Sequence, residues 1–349
     1  MIDKIINSLE PFGNLDNKKN LFLKNIKKLF KHHNKNCPHV KNFLDKQNIK
    51  IDKIKDIEKI PYFPVKIFKE LELKSIKNDK VFKILKSSGT SGNLSKIFLD
   101  KNNSLNQTRV LNKIITYLFG KERMPMLIVD SKEVFSNRND FSARAAAILG
   151  FSFMGIDHTY LLNSDFSFNY EIYENFKKKY YKKKFLIFGL THLIWEKLLN
   201  NKNLKNENFI NSRLLHGGGW KKLNELNISN YKFKKKLFKK FNIKKINNYY
   251  GMVEQTGSIF LECEKCNSFI TSNYSDVLIR GKKFEILKPN QEGFIQLISL
   301  LPTSYPGNSI LSDDLGMIVE NDCSCRKLGK RFKVNGRILN SEIRGCSNV

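Results

Sequence analysis

No stretch of this 349-residue chain approaches the roughly 20 consecutive apolar residues that a bilayer-spanning helix needs. The best run, residues 185–195, is short and interrupted by His192. The first residues, MIDKIINSLEPFG, lack the basic start, apolar stretch and small-residue cleavage site of a secretory signal. A soluble, cytoplasmic protein is therefore expected. Internal repeats, low-complexity linkers and a sharp domain boundary are absent too, and no Gly-x-Ser-x-Gly elbow offers a Ser-His-Asp hydrolase. Acidic residues are scarce: 33 Asp+Glu stand against 62 Lys+Arg, a net charge of +29.

Such a charge invites a nucleic-acid reading, but that requires Lys and Arg gathered on one face beside groups that read or stack on bases. Here the excess is almost all Lys, spread along the chain among Asn and Ile, as a coding bias would leave it. In the dense run at residues 232–245, Phe233, Leu237, Phe238 and Phe241 recur at helical spacing, which predicts a buried stripe with lysines on the solvated face. No nucleic-acid partner is expected, and a weak attraction to anionic lipid or an acidic protein is left open. Hydrophobic residues make up 41% of the chain, enough to build a core and exclude general disorder.

Residues 1–60 read as polar helices, closed by the turn Pro61-Tyr-Phe-Pro64. Short strands are expected at 81–85 and 96–99 around a small-residue loop, with a helix over 104–118. Strands at 126–129 and 185–188 then alternate with helices at 141–149 and 192–199, the pattern of an α/β sheet covered by helices. Beyond Tyr250 short strands are expected at 258–261, 277–279, 294–300 and 317–320.

Four local signals carry chemistry. Ser87, Ser88, Gly89, Thr90, Ser91 and Gly92, followed by Lys96, give a loop of hydroxyls and unhindered N–H groups that reads either as a phosphate cradle or as a surface turn. It is not a Walker A loop, because Leu94 stands where that pattern needs Gly. In Tyr249-Tyr250-Gly251-Met252-Val253-Glu254, a carboxylate among small residues beside an aromatic ring suits Mg²⁺ near a nucleotide, or is a strand running into a turn. His216 precedes Gly217, Gly218 and Gly219, which permit close backbone approach to a flat ligand or form a tight turn. His192 reads as a core histidine and His216 as a weak site candidate. Ser312-Asp313-Asp314-Leu315-Gly316 is an acidic pair able to accept from ribose hydroxyls, or an Asx turn.

In order, these segments resemble the adenylate-forming ligase superfamily, with Asn335-Gly336-Arg337 similar to its hinge. Within it the chain resembles the LuxE-type acyl-protein synthetases, through Pro64-Val-Lys-Ile-Phe68, the segment from Ser95 to Asp100, Gly251 to Ser258, and the tail Gly336 to Ser347. The resemblance implies an adenylate-forming N-terminal core with helices packed on mixed β-sheets and no full C-terminal lid domain. It divides the chain into a helical region over 1–80, a core over 81–335 and a tail over 336–349. ATP would activate a carboxylic acid, by analogy a fatty one, to an acyl-adenylate, and the acyl group would pass to an enzyme cysteine and on to a partner such as a reductase. Ser88, Thr90 and Lys96 would surround the triphosphate, Tyr250 lie beside adenine, Glu254 hold Mg²⁺, Asp314 bind ribose and Cys346 accept the acyl group. Arg344 beside Cys346 would favour the reactive thiolate.

Of the other cysteines, Cys263-x-x-Cys266 and Cys323-x-Cys325 supply the four thiolates of a structural Zn²⁺ site, or stand unligated. Two further functions compete: acyl transfer to a small amine, hydroxyl or thiol, for example on a cell-surface sugar or lipid, and, more distantly, a non-enzymatic basic binding module.

Overall fold

A computed structural model describes residues 2–13, 18–87, 94–136, 140–218, 220, 223, 226, 228–320 and 323–338. Its chain divides into two compact units: one of Met1–Ile114, Gly251–Phe260 and Ser268–Val349, the other of Ile115–Tyr250 and Leu261–Asn267. The α/β class expected from the alternating pattern is borne out.

In the first unit the helices α1 (Ile2–Ser8), α2 (Lys18–Asn36) and α3 (Pro38–Lys46) form the N-terminal region. The two-residue strand β1 (Phe63–Pro64) and the one-turn helix α4 (Ile67–Glu70) follow. A hairpin, β2 (Lys83–Lys86) against β3 (Lys96–Leu99), brackets the small-residue loop as expected. Helix α5 (Lys101–Phe119) starts three residues earlier than its apolar spacing suggested, because the Asp100 carboxylate accepts from the Asn103 amide at 2.6 Å and caps it. Asn103 in turn pins residues 301–304: its Oδ1 accepts from the Thr303 and Ser304 amides and its Nδ2 donates to Leu301 O.

Fully buried His33 on α2 fixes the same turn, with Nδ1 at 2.7 Å from Ser75 Oγ and Nε2 at 3.2 Å from Pro302 O. Burial, and secondarily neighbouring His32, lower its pKa to about 3, so the folded protein keeps it neutral. A depressed folded pKa contributes stability present above the unfolded value near 6.5 and lost as pH falls toward about 3. We expect urea unfolding of wild type to weaken by roughly 4 kcal/mol across that window, beyond the general acid effect. His33→Gln should be less stable at pH 7 but show a shallower acid slope; an unchanged slope would exclude His33 as its source.

In the second unit β4 (Met124–Ser131), β6 (Gly155–Leu162), β7 (Leu186–Leu190), β8 (Arg213–Gly217) and β9 (Lys245–Tyr250) pair in parallel, in the order β6-β4-β7-β8-β9. Between them run β5 (Asp140–Ser142), α6 (Ala143–Phe151), α7 (Tyr170–Tyr180), α8 (Thr191–Ile194) with a π turn over Trp195–Leu199, and α9 (Asn230–Phe241). Near-continuous apolar runs such as residues 126–129 are what a sheet covered on both faces requires. Phe233, Leu237 and Phe241 of α9 bury as expected, but Phe238 is 50% exposed: it lies about 100° around the helix from Leu237 and misses the apolar arc. The strand β10 (Phe260–Glu262) ends in a buried carboxylate, Glu262, which accepts from the Asn248 amide, Asn230 Nδ2 and Lys234 Nζ.

The remainder of the first unit holds β11 (Phe269–Ile270), β12 (Ser275–Arg280), β13 (Gly293–Ser299), β14 (Ser309–Ile318) and β15 (Arg331–Arg337). Neighbours in the run β12-β13-β14-β15-β11 are antiparallel, while β1 joins β14 in parallel, so the sheet is mixed. The strand expected at 317–320 overlaps only the last two residues of this longer β14, which ends at Ile318. Consequently Asp313 and Asp314 lie within a strand and not in an Asx turn.

Candidate functional site

Glu254 sits on the short turn Val253–Gln255, set between Gly251 and Gly257. Gln255, fully buried, fastens that turn: its Nε2 donates to Leu297 O at 3.1 Å and to Gly307 O at 2.9 Å. A Cβ on Gly307 would stand 2.5 Å from the Glu254 carbonyl oxygen, so the two segments meet backbone to backbone. Gly257 has φ +86° and lies against the Gln107 side chain, a position only glycine fills without strain.

The Glu254 carboxyl is buried, and burial raises its pKa above the ordinary carboxylate value. Adjacent Ser95, its own amide, and the cations Arg337 and Lys69 pull in the opposite direction without reversing the shift. Burial thus penalises the ionised carboxylate, a penalty that a bound cation would offset, so its chemistry fits a divalent metal.

Asp314 and Arg337 are directly opposed in the β14–β15 register. Arg337 Nη2 lies 3.4 Å from Asp313 Oδ2 and its Nε 3.9 Å from Asp314 Oδ1. Ser312 holds the segment in place, its Oγ donating to Ile295 O and accepting from the Asp314 amide. Glu254, Asp314 and Arg337, drawn from three separate sequence signals, thus belong to one unit and act on one electrostatic environment.

Across the loop hairpin, Ser87 and Ser95 close the connection reciprocally: the Ser95 amide donates to Ser87 Oγ at 3.0 Å and the Ser87 amide to Ser95 O at 3.1 Å. Ser88, Gly89, Thr90, Ser91 and Gly92 lie outside the described residues, as do Gly219 and Cys346. Lys96 is exposed and pairs with Glu72 at 3.4 Å. Lys69 directly follows the segment Pro64 to Phe68 and Ser95 opens the segment Ser95 to Asp100, and neither carried an assigned role of its own.

In the second unit, Gly217 and Tyr250 end the parallel strands β8 and β9. A Cβ on Gly217 would sit 2.6 Å from the Tyr249 ring, and Gly218 has φ +64°, so both glycines answer to backbone geometry. Tyr249 is core, stacked against Phe188, while Tyr250 is half-exposed. His216, weighed as a site candidate, is instead fully buried: Nδ1 lies 3.0 Å from Thr191 Oγ1 and its ring packs on Phe233. Burial holds its pKa far below the ordinary value, which makes it a neutral core residue.

Among the described cysteines no disulfide forms. Cys263 is buried, Cys266, Cys323 and Cys325 half-buried, and Arg331 Nη2 lies 3.2 Å from Cys325 Sγ.

A model of the family described as "Acyl-protein synthetase, LuxE" matches residues 1–349. The chain belongs to the LuxE acyl-protein synthetase family. A LuxE relative, the long-chain-fatty-acid–luciferin-component ligase of Aliivibrio fischeri, is 25% identical over 300 residues, covering 83% of this chain and 76% of the relative. Among solved structures, 2-hydroxyisobutyryl-CoA ligase, in an open conformation with 2-HIB-AMP and CoA, superposes with a TM-score of 0.69 at 14% identity, covering 94% of this chain and 76% of the other. ATP-bound MatB from Rhodopseudomonas palustris gives 0.51 at 12% identity, over 75% of this chain and 49% of that one. At these identities the structures establish the fold. As a LuxE-family member the chain is an ATP-dependent, acyl-AMP-forming ligase, the chemistry its motif order implied. Among the described residues no helix is long and apolar enough to cross a membrane.

Proposed function

We propose that this synthetase activates a long-chain fatty acid, loads it onto Cys346 and delivers it to a partner enzyme such as a reductase, in the cytoplasm. The observation that supports the site assignment is Glu254, a buried carboxyl on a tightly fastened turn, with Arg337 and the Asp313–Asp314 pair in the same unit. The relative's named substrate supports the fatty acid.

Ser87 to Gly92 and Lys96 bind the triphosphate, Gly217 to Gly219, Gly251 and Tyr250 the adenine, and Asp314 the ribose. Glu254 would hold Mg²⁺, which when bound would supply neutralisation of phosphate charge. With charges and reactants so positioned, a carboxylate oxygen of the acid bonds to the α-phosphorus while the bond to the β-phosphoryl oxygen breaks and pyrophosphate departs. The Cys346 thiolate then attacks the acyl carbonyl carbon and AMP leaves, which produces a thioester.

The decisive experiment is acid-dependent exchange of labelled pyrophosphate into ATP across acids of graded chain length. Exchange rising with length supports the reading; exchange confined to short acids overturns the fatty substrate, and none at all with folded protein overturns the site assignment. Arg337→Ala provides a narrower check. Its side chain is 56% exposed, so its surface ion pairs are worth at most about 1 kcal/mol of stability. We expect a thermal midpoint near wild type but a raised KM for ATP in exchange, from loss of the cation facing Asp313 and Asp314.

We also assign Cys263, Cys266, Cys323 and Cys325 to Zn²⁺, on the strength of their two close sequence pairs. Elemental analysis should find about one equivalent per chain, as a Cys₄ structural site requires, and Cys325→Ser should lower it.

A further inference from the structure

Helix α9, NYKFKKKLFKKF, carries six lysines and no acid over its twelve residues. Phe233, Leu237 and Phe241 on its inner face are consumed by the core. The outer face is unusual for a solvated helix: Tyr231 is 73% and Phe238 50% exposed, seven residues and so two turns apart on one line. Lys232, Lys235 and Lys239, all exposed, run alongside them, and Lys235 Nζ stands 6.0 Å from the Tyr231 ring centroid. Further exposed apolar side chains lie beyond the C-terminal end of the helix. There the Phe209 amide donates to Phe241 O, the next residue, Ile210, is exposed, and Tyr181, also exposed, sets its ring edge-on to Phe209. Tyr181 is followed by exposed Lys182, Lys183 and Lys184, the last facing Glu122.

We infer that this face of α9 docks the protein onto an anionic lipid surface. A row of lysines with long flexible stems beside separate aromatic rings has the form of an interfacial helix, in which the cations meet headgroups and the rings enter the headgroup boundary. The energetic centre of a protein interface is instead a clustered, fully desolvated patch. The charge of the face complements an anionic leaflet without specifying any single acceptor. Its consequence for supply of the substrate rests on the fatty-acid reading above: a free long-chain acid partitions into the surface on which the enzyme would sit.

Flotation of the full chain with phosphatidylcholine vesicles, with and without phosphatidylglycerol, tests the inference independently of any activity. Wild type should float with the anionic vesicles alone. Lys232→Glu/Lys235→Glu/Lys239→Glu should reduce partitioning by roughly a hundredfold or more at low salt, at about fivefold per lost lysine. Tyr231→Ser/Phe238→Ser should reduce it roughly tenfold and leave the remainder more salt-sensitive. A control with the same charge change at exposed Lys46, Lys55 and Lys288 should float nearly as well as wild type. Circular dichroism confirms that each variant is folded. Absence of flotation, an equal loss in the control triple, or no effect of the aromatic pair overturns the inference; binding to an acidic protein without vesicle binding does so too.

Discussion

Glu254→Gln is expected to lower acid-dependent ATP–pyrophosphate exchange by roughly a hundred- to a thousandfold while leaving the ligand-free protein at least as stable as wild type. The kinetic effect follows from removing the charge that would hold the metal, a loss of the size seen when one preorganised electrostatic group is deleted from an active site. The stability effect follows from burial, which raises the carboxyl pKa above 4.5 in the folded state. A raised folded pKa contributes stability that is complete below the unfolded value and is lost as pH rises through the folded one. Glutamine does not titrate, so its advantage should be near zero at acid pH and grow toward pH 8. Thermal midpoints at both ends of that range check the sign. An equal gain at every pH would remove desolvation as the cause, and unaltered exchange would remove Glu254 from the site.

Cys346→Ser should separate the two half-reactions. Exchange should stay within about twofold of wild type, since the thiol takes no part in attack on ATP, whereas hydroxylamine-labile acyl label on the protein should fall at least about a hundredfold, a serine hydroxyl without an activating base being a far weaker nucleophile. The described cysteines offer poor substitutes. Burial pushes the Cys37 thiol up, against the thiolate. Cys325 has Arg331 at 3.2 Å and is the strongest competitor, so Cys325→Ser belongs in the same experiment. Label lost in Cys325→Ser and retained in Cys346→Ser would move the acceptor to the β14–β15 connection.

What could be read in the sequence was local. The small-residue loop announced its hairpin because turn residues separate two short apolar runs, and the parallel strands announced themselves through unbroken apolar stretches such as 126–129. Glu254, Asp314 and Arg337 were each legible as motif members, but the register that sets Arg337 opposite Asp314 depends on pairing between strands whose partners are remote or bulged. The same dependence hid the length of β14: its first residues pair with β13 and β1, which no window on Ser309 to Asp314 contains. Helix starts failed for a different reason. Asp100 and Ser142, side chains that cap α5 and α6, were present but outweighed by apolar spacing. Phe238 failed because a period of 3.6 residues was stretched to accept every aromatic residue in the run. Ser95 and Lys69 were legible only as a member and a neighbour of motif segments, since their relevance arises from what folds beside Glu254.

The contact between Arg337 and the two aspartates bears on how the resting enzyme meets its nucleotide. The exposed Arg337 guanidinium donates to Asp313 at 3.4 Å and stands 3.9 Å from Asp314, so on the proposed assignment of Asp314 to ribose an incoming sugar would meet a carboxylate that already faces a cation. Because such ion pairs at an exposed side chain are weak, displacing them would cost little, and added salt should loosen them more than the hydrogen bonds of incoming hydroxyls. On that assignment the cation comes from the adjoining strand β15, and a sugar taking its place would leave it tethered there with its positive charge free to face phosphate.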